Sequence, residues 1–251
     1  MQRAYIIILL ALLSLNSLSY DLITFNYPPF MQEDDKGFID HLLLDFQSHS
    51  GIKINTHKYP VKRALKSFVD AKYILHIGAT DNFSKEELNS FYIAPIFDLN
   101  VYLLYSKPNK EKLSKDLEKL KKIRIGILRG SKQEVDFANK YKFKITTYVD
   151  SHNAFNLLKK GRVDFVTFSP LFNNYKDITG ANSIDDFSYH HQLCFSSKAA
   201  FFINKKGEKS ELFYKDFSSK LESYLKSESY KNLLTKFFGE DIPDGIKKYT
   251  K

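Results

Sequence analysis

The sequence is poor in cysteine and in arginine, and both shortages exclude functions. Cys194 is the one cysteine among 251 residues, so an intrachain disulfide is excluded, and we expect a buried apolar thiol on a strand. Only five of the 38 basic residues are arginines, and the lysines are spread through every segment. Nucleic-acid footprints favour clustered arginine with interleaved aromatic residues. Despite the net charge of +9, we therefore expect no nucleic-acid partner, and the positive field favours small anionic solutes or an acidic cell surface.

Long apolar runs are also scarce. Residues 4–15 form one such run, which follows Met1-Gln2-Arg3 and precedes the small-x-small pattern Ser17-Leu18-Ser19. This combination is typical of a secretory signal peptide, so we expect residues 1–19 to be cleaved and the protein to be periplasmic. Tyr20 and not cysteine follows the predicted cleavage site, so we expect no lipid anchor. No later run approaches the length of a membrane span.

About 230 residues remain, which suffice for one large domain or for two lobes. Between Lys122 and Pro170 the pattern alternates between strand and helix and ends on a strand. The predicted elements are strand 123–128, helix 132–141, strand 144–149, helix 151–160 and strand 164–168. Two consecutive βαβ units indicate a parallel sheet.

The earlier part of the chain repeats this scheme. Strands are predicted at 22–26, 52–58 and 73–77, with helices that begin after Gly37 and at Pro60. Strand 97–105 and the segment near 193–198 then cross between the two parts, and the C-terminal helices return to the first. We therefore predict an α/β protein of two lobes, each a mostly parallel sheet flanked by helices. Lobe 1 comprises residues 20–105 and 196–251, lobe 2 comprises residues 106–195, and the two crossings form a hinge that permits closure around a ligand.

A binding site is predicted where the two lobes face each other. Arg129-Gly130-Ser131 lies between a buried strand and a helix N-terminus, where backbone N–H groups, a hydroxyl and a guanidinium can converge on an anion. The alternative is an ordinary strand-to-helix turn. Ligands of open α/β sheets bind at the carboxyl ends of strands, and the polar loop 78–82 has the same position in the other lobe. The residues predicted to line the cleft are Tyr27, Thr80, Asp81, Arg129, Ser131 and Ser169.

Several short motifs, in order and at suitable spacing, give the chain a family resemblance. It resembles the bacterial extracellular solute-binding proteins of family 3, which are two-lobed periplasmic receptors with the type II periplasmic-binding-protein fold and usually serve amino-acid transport. The matching motifs are Tyr27-Pro-Pro-Phe30 with Gly37 and Asp40, Pro60-x-x-Arg63-Ala64-Leu65, Gly78-Ala79-Thr80, Ala94-Pro95, the stretch 125–131, and Leu158-x-x-Gly161-Arg-Val-Asp164. The second motif looks more like the standalone members than the substrate-binding partners of ABC transporters.

The resemblance implies roles for some ligand-binding residues. Tyr27, with Phe30 in the same turn, matches the aromatic residue that stacks on the ligand. Asp81 falls where the first lobe contacts the ligand. Gly130 and Ser131 match the loop of the second lobe that meets the ligand carboxylate.

Two charged anchors of the family are missing. Glu86 occupies the position of the arginine that pairs with an α-carboxylate, and Ser169 that of the aspartate that holds the α-amino group. We therefore expect a solute-binding protein that captures a small polar or anionic metabolite for uptake or sensing, and not an ordinary α-amino acid. Arg129 with its turn would then hold an anionic end, and Tyr27 a flat or apolar body.

A membrane permease or sensor is the expected partner, the protein is expected to be monomeric, and no cofactor is expected.

Three alternatives stay open. Some dehydratases of aromatic amino-acid biosynthesis resemble these receptors, and Glu86 would then be a general acid, although its sequence context is that of an exposed first helical turn. His190 and His191, with Asp186 and Cys194 nearby, would be metal ligands, but adjacent residues on a strand point to opposite faces. The third alternative is a ligand-sensing module. We expect neither catalysis nor metal binding.

Overall fold

The structure is a computed structural model that describes residues 19–27, 30–172, 184–240, 242 and 244–250. The predicted signal peptide lies outside the described residues except for Ser19, which begins the first strand. The two prolines of the Tyr27-Pro-Pro-Phe30 motif also lie outside them. No helix within the described ranges is long and apolar enough to cross a membrane.

Eight strands are described, and most lie within two residues of the bounds expected from sequence. They are β1 (Ser19–Thr24), β2 (Lys53–Lys58), β3 (Leu75–Ala79), β4 (Phe91–Ser106), β5 (Arg124–Leu128), β6 (Lys144–Tyr148), β7 (Phe165–Phe168) and β8 (Phe187–Asn204). The exceptions are β1, which begins three residues early, and the two long strands β4 and β8, which the sequence analysis expected to be shorter.

The helices alternate with the strands up to β7 and then follow β8. They are α1 (Phe38–Ser50), α2 (Val61–Val69), α3 (Lys85–Leu88), α4 (Lys110–Leu113), α5 (Lys132–Lys140), α6 (Ser151–Lys159), α7 (Ser210–Leu225), α8 (Glu228–Phe238) and α9 (Asp244–Lys247). A 3₁₀ turn, Thr80–Asn82, directly follows β3.

All eight strands belong to one hydrogen-bonded sheet, in the order β2-β1-β3-β8-β4-β7-β5-β6. β1 is parallel to β2 and β3, and β5 is parallel to β6 and β7. The long strands β4 and β8 pair antiparallel with each other and join these two sets. We call β2, β1 and β3 with their helices the first end of the sheet, and β7, β5 and β6 with theirs the second end.

From the sequence we expected a sheet in each lobe, joined by short crossings. In the structure the crossing segments belong to β4 and β8, which are hydrogen-bonded into the same sheet as the other strands. The polar stretch 196–198 reads as a linker, but β8 continues through it because its polar side chains have partners. Ser196 Oγ donates to Asn100 Oδ1 at 2.9 Å, and Ser197 Oγ donates to Asp81 Oδ1 at 2.7 Å. The predicted lobe boundaries, 105/106 and 195/196, fall at the end of β4 and inside β8.

Apolar faces of the helices cover both ends of the sheet. At the first end Phe38 and Phe46 of α1 are fully buried, and their rings lie 5.1 Å from Phe238 and 5.2 Å from Phe217 respectively. The C-terminal helices α7 and α8 therefore pack on the first end. At the second end Phe165 packs with residues of β5 and α5 in a separate cluster.

Candidate functional site

A cavity of about 100 Å³ lies between the two ends of the sheet. Its wall combines carboxyl-end residues of β1 and β3 with carboxyl-end residues of β5, β6 and β7, which is the position that open α/β sheets use for ligands. Most of the lining is apolar: Phe25, Met31, Ile39, Ile77, Phe97, Leu99, Val101, Leu128, Ala154, Phe168 and Ala199 contribute, together with Tyr27, Phe30 and Tyr148. The polar lining residues are Thr24, Asn82, Asp81, Glu134, Thr167, Ser169 and Ser197.

One wall is aromatic and comes from the tight turn between Tyr27 and Met31. The N–H groups of Phe30 and Met31 both donate to the Tyr27 carbonyl, at 2.8 and 3.1 Å. The rings of Tyr27 and Phe30 stack with centroids 6.0 Å apart, and Phe97 stacks on Phe30 at 5.4 Å. This arrangement presents a flat apolar surface to a ligand.

The start of α1 holds this turn in place. The Ile39 N–H donates to the Phe30 carbonyl at 2.8 Å, and Asp40 Oδ2 accepts from the N–H groups of Gln32 and Gly37 at 2.9 and 3.0 Å. A Cβ atom on Gly37 would lie 2.2 Å from the Phe30 carbonyl oxygen. Gly37 is therefore required because the turn and the helix approach each other so closely.

Asp81 supplies a carboxyl group from the first end. The 3₁₀ turn after β3 places it against β8, where Ser197 Oγ donates to Asp81 Oδ1 at 2.7 Å and Thr80 Oγ1 lies 3.0 Å from Ser197 Oγ. Ser131 Oγ of the second end donates to Asp81 Oδ2 at 3.3 Å. Burial raises the pKa of Asp81, although the bonds from Ser197 and Ser131 oppose the increase.

Glu134 supplies a second carboxyl group, from the second end, and it is not among the site residues predicted from the sequence. It lies in the first turn of α5, is 6% exposed, and its Oε2 accepts from the Leu128 N–H at 2.6 Å. Burial raises the pKa of Glu134 to about 8, and the Asp81 carboxylate contributes to the increase. Ser131-x-x-Glu134 has the spacing of a capping box, which predicts an ordinary helix start, but the side chain turns into the cavity instead.

The other polar side chains that the second end contributes to the cavity wall carry hydroxyl groups. Tyr148 OH donates to the Thr167 carbonyl at 3.1 Å, and its oxygen lies 3.3 Å from Thr167 Oγ1. Ser169 follows β7, is 4% exposed and lines the cavity. These groups can orient a ligand, but they add no charge.

The cavity is acidic, which argues against the anionic ligand expected from the sequence. Among its described lining residues there are two carboxyl groups and no lysine, arginine or histidine. Arg129 is exposed and does not line the cavity. Lys132 Nζ is bound to Glu87 Oε2 at 2.7 Å outside the cavity. An anion placed here would meet two carboxyl groups and no described cation that could pair with it.

The residues predicted from sequence separate into three groups. Those that line the cavity are Tyr27, Phe30, Asp81 and Ser169. Thr80 and Ser131 do not line the cavity, but they are hydrogen-bonded to the lining residues Ser197 and Asp81, respectively. Arg129 and Gly130 are exposed and lie outside it. Gly130 has a φ of +102°, which explains the glycine at this position as a requirement of the turn.

The alternative sites lack support in the geometry. Glu86 is exposed, and its pKa is lowered by backbone N–H bonding at the start of α3 and by Ser84, so it is not a buried general acid. No group of three or more His, Cys, Asp or Glu residues in the described part of the chain converges as a metal site. Cys194 is half-buried, whereas the sequence predicted a buried thiol. Burial raises the pKa of this thiol, which lowers its reactivity.

The fold is shared with known ligand-binding proteins. The glutamate complex of the GluR0 ligand-binding core from Nostoc punctiforme is 17% identical, with a TM-score of 0.72 over 88% of this chain and 99% of that one. A putative L-cystine ABC transporter protein from Listeria monocytogenes is 19% identical, with a TM-score of 0.71 over 90% and 98%. The ancestral amino-acid-binding protein AncCDT-1, a precursor of cyclohexadienyl dehydratase, is 19% identical, with a TM-score of 0.68 over 88% and 95%.

These likenesses show the fold. The chain has the type II periplasmic-binding-protein fold, as the sequence analysis predicted, and the neighbours are solute-binding proteins of the kind that the sequence resembles. No protein-family model matches the sequence, and no curated protein matches it.

Proposed function

We propose that this chain, which has the type II periplasmic-binding-protein fold, is a family 3 solute-binding protein that captures one small molecule between the two ends of its sheet. The observation that carries the proposal is the cavity itself. It is mostly apolar, it combines residues of both ends, and it holds a few convergent polar groups, which are the properties of small-molecule sites in general. The proposed ligand contacts are Tyr27, Phe30, Asp81, Glu134 and Ser169.

The two ends act in this proposal as lobes that close on the ligand. Lobe 1 is formed by residues 20–105 and 196–251, and lobe 2 by residues 106–195. Ser131 and Lys132 of the second end bond to Asp81 and Glu87 of the first, so bonds between the ends close the cavity. Opening would require these bonds to break and β4 and β8 to bend.

The proposal includes export and a partner. Residues 1–19 act as a signal peptide, the exported protein is a periplasmic monomer, and a permease or a membrane sensor receives the loaded form. An ordinary α-amino acid is not the ligand, because its carboxylate would have no described cation in the cavity and an unpaired buried charge is costly.

A thermal-shift screen of purified protein against small metabolites tests solute capture. A ligand at a hundred times its Kd stabilises the folded state by about 2.7 kcal/mol. We expect at least one compound to raise Tm in the wild type and not in Val101→Phe, which fills the cavity from β4. The matched control is Val149→Phe, at a position that is 54% exposed and outside the cavity, and it should respond like the wild type.

A specific observation favours one second candidate, an enzyme on the same fold. Glu134 is a cavity carboxyl with a pKa of about 8, so it holds its proton at neutral pH, as a general acid must. AncCDT-1, which has a similar fold, is a precursor of cyclohexadienyl dehydratase. Product formation from a cyclohexadienyl substrate that disappears in Glu134→Gln would support the enzyme. Stoichiometric binding of that substrate without turnover would dismiss it.

A further inference from the structure

Two buried acidic groups share the cavity without a basic partner. Asp81 comes from the first end and Glu134 from the second, and both line the same cavity. Neither carboxyl group has a cationic partner in the cavity wall, because no lysine, arginine or histidine is among the described lining residues. A buried carboxylate is normally paired with a cation, since desolvation of an unpaired charge is costly.

The hydrogen bonds of these carboxyls orient them but do not neutralise them. Asp81 accepts from the hydroxyls of Ser197 and Ser131, at 2.7 and 3.3 Å. Glu134 accepts from the Leu128 N–H at 2.6 Å. The Thr167 side chain also bonds to Glu134. All of these partners are neutral, so they orient the two carboxyls and supply no positive charge.

The rest of the wall suits an apolar cation. The stacked rings of Tyr27 and Phe30 form one side, and Phe97 extends that surface. Aromatic faces attract ammonium groups in desolvated sites and also bury alkyl or aryl groups. The same cavity therefore offers two ionisable carboxyl groups and apolar surface side by side.

We infer that the ligand is a small amine whose cationic nitrogen lies between the carboxyls of Asp81 and Glu134 and whose apolar body lies against the Tyr27–Phe30 aromatic surface. This inference rests on the proposed function and names its ligand class. A primary ammonium has three donors and no acceptor, so it can bond to both carboxyls at once. A ligand carboxylate has no described partner here, which separates simple amines from α-amino acids.

Proton release follows from this arrangement. The titratable groups that face Glu134 are Asp81 after β3, Tyr27 in the aromatic turn, Tyr148 at the end of β6 and Cys194 in β8. All of them are acids or neutral groups, so none supplies positive charge. A bound cation favours ionised Glu134, and amine affinity therefore rises with pH between about 6 and 8, because Glu134 must lose a proton on binding.

Titration calorimetry with matched probes tests the inference. The probes are n-butylamine and benzylamine, the alcohols butanol and benzyl alcohol, and the carboxylates butanoate and benzoate. We expect the amines to bind at least tenfold more tightly than the alcohols and the carboxylates not to bind. Glu134→Gln and Asp81→Asn, which keep the side-chain shape, should each weaken amine binding at least tenfold. Glu86→Gln removes an exposed carboxylate outside the cavity and should not.

Measurements at pH 7 in two buffers of different ionisation enthalpy should show release of protons on amine binding to the wild type and not to Glu134→Gln. The inference is overturned if amines bind no better than their alcohols, or if the two cavity variants bind amines as the wild type does. Tight binding of an alcohol or carboxylate would overturn the amine preference while solute capture stands. A failure of the broad metabolite screen as well would overturn both.

Discussion

The Ser131 hydroxyl donates a hydrogen bond of 3.3 Å to the Asp81 carboxyl group, which joins two residues 50 positions apart at the rim of the cavity. Beside it, Lys132 Nζ lies 2.7 Å from Glu87 Oε2. The two pairs link the start of α5 to the 3₁₀ turn after β3 and to α3, respectively. The two ends of the sheet are therefore in contact at the rim of the cavity, and ligand entry requires these contacts to open.

Ser131→Ala should weaken both the helix and the ligand site. Ser131 Oγ is the N-cap of α5, where it accepts from the Glu134 N–H at 3.4 Å, and loss of an N-cap costs about 1 kcal/mol. Urea unfolding should show that loss, and calorimetry should show weaker ligand binding. The control is Ser227→Ala, which removes the N-cap of α8 outside the cavity lining. In the wild type the Tyr230 N–H donates to Ser227 Oγ at 3.2 Å. Equal effects of the two variants on binding would contradict a role for Ser131 at the site.

The contribution of Glu134 to the stability of the ligand-free protein should fall as pH rises from 5 to 8. Glu134 holds its proton in the folded state up to a pKa of about 8, against an ordinary value of 4.5, so an unfolded chain binds fewer protons in this range. One proton changes the free energy of unfolding by about 1.4 kcal/mol per pH unit. Wild type should lose about 2–4 kcal/mol more than Glu134→Gln between these pH values.

The control for the pH effect is Glu86→Gln. The pKa of Glu86 is lowered, so Glu86 is ionised throughout this range and its removal should leave the pH dependence of the wild type intact. Urea unfolding at pH 5, 6, 7 and 8 provides the comparison. A wild type and a Glu134→Gln variant with parallel pH profiles would show that Glu134 is ionised in the folded protein.

Gly37→Ala should disrupt the aromatic wall. The added Cβ would lie 2.2 Å from the Phe30 carbonyl oxygen, so the turn must move, and overpacking of this kind costs about 1–3 kcal/mol. Ligand affinity should fall together with Tm. Gly51→Ala is the control, since Gly51 has a φ of +71° but no atom within 4 Å of the added Cβ; it should lower Tm without changing affinity.

Arg129→Ala should leave ligand affinity within about twofold of the wild type, which is less than about 0.5 kcal/mol. Arg129 is exposed and lies outside the cavity, although the sequence analysis placed it at the ligand. Tyr27→Ala, which removes half of the aromatic surface, should weaken binding at least tenfold in the same calorimetric experiment. A loss in Arg129→Ala as large as in Tyr27→Ala would restore the anion-binding interpretation of the turn.

Much of the fold could be predicted because its signals are local. Strands β5 to β7 and helices α5 and α6 have clear apolar periodicity and terminal residues, and their bounds agree with the sequence analysis to within about one residue. The length of β8 could not be predicted, since Ser196 and Ser197 read as a polar linker until their cross-strand partners are known. A capped helix start likewise gave no indication that Glu134 faces a cavity, because side-chain direction depends on tertiary packing.

The candidate site was predictable in position but not in charge. Strand ends at 78–82 and 128–131 located the cavity, and Tyr27, Asp81 and Ser169 line it. Arg129 carries the guanidinium that suggested an anion, but it is exposed outside the cavity. The residue of the turn that bonds to the first end is Ser131. The acidic character of the cavity could therefore be recognised only from the structure.

The central claim is that a small amine occupies the cavity between Asp81 and Glu134. A crystal structure of the protein with the most strongly stabilising amine of the probe series tests it most directly. The account predicts ligand density in the cavity, with the nitrogen within about 3 Å of a carboxylate oxygen of each residue and the apolar body on the Tyr27 ring. Density for the amine at another surface, with the cavity empty, would contradict it.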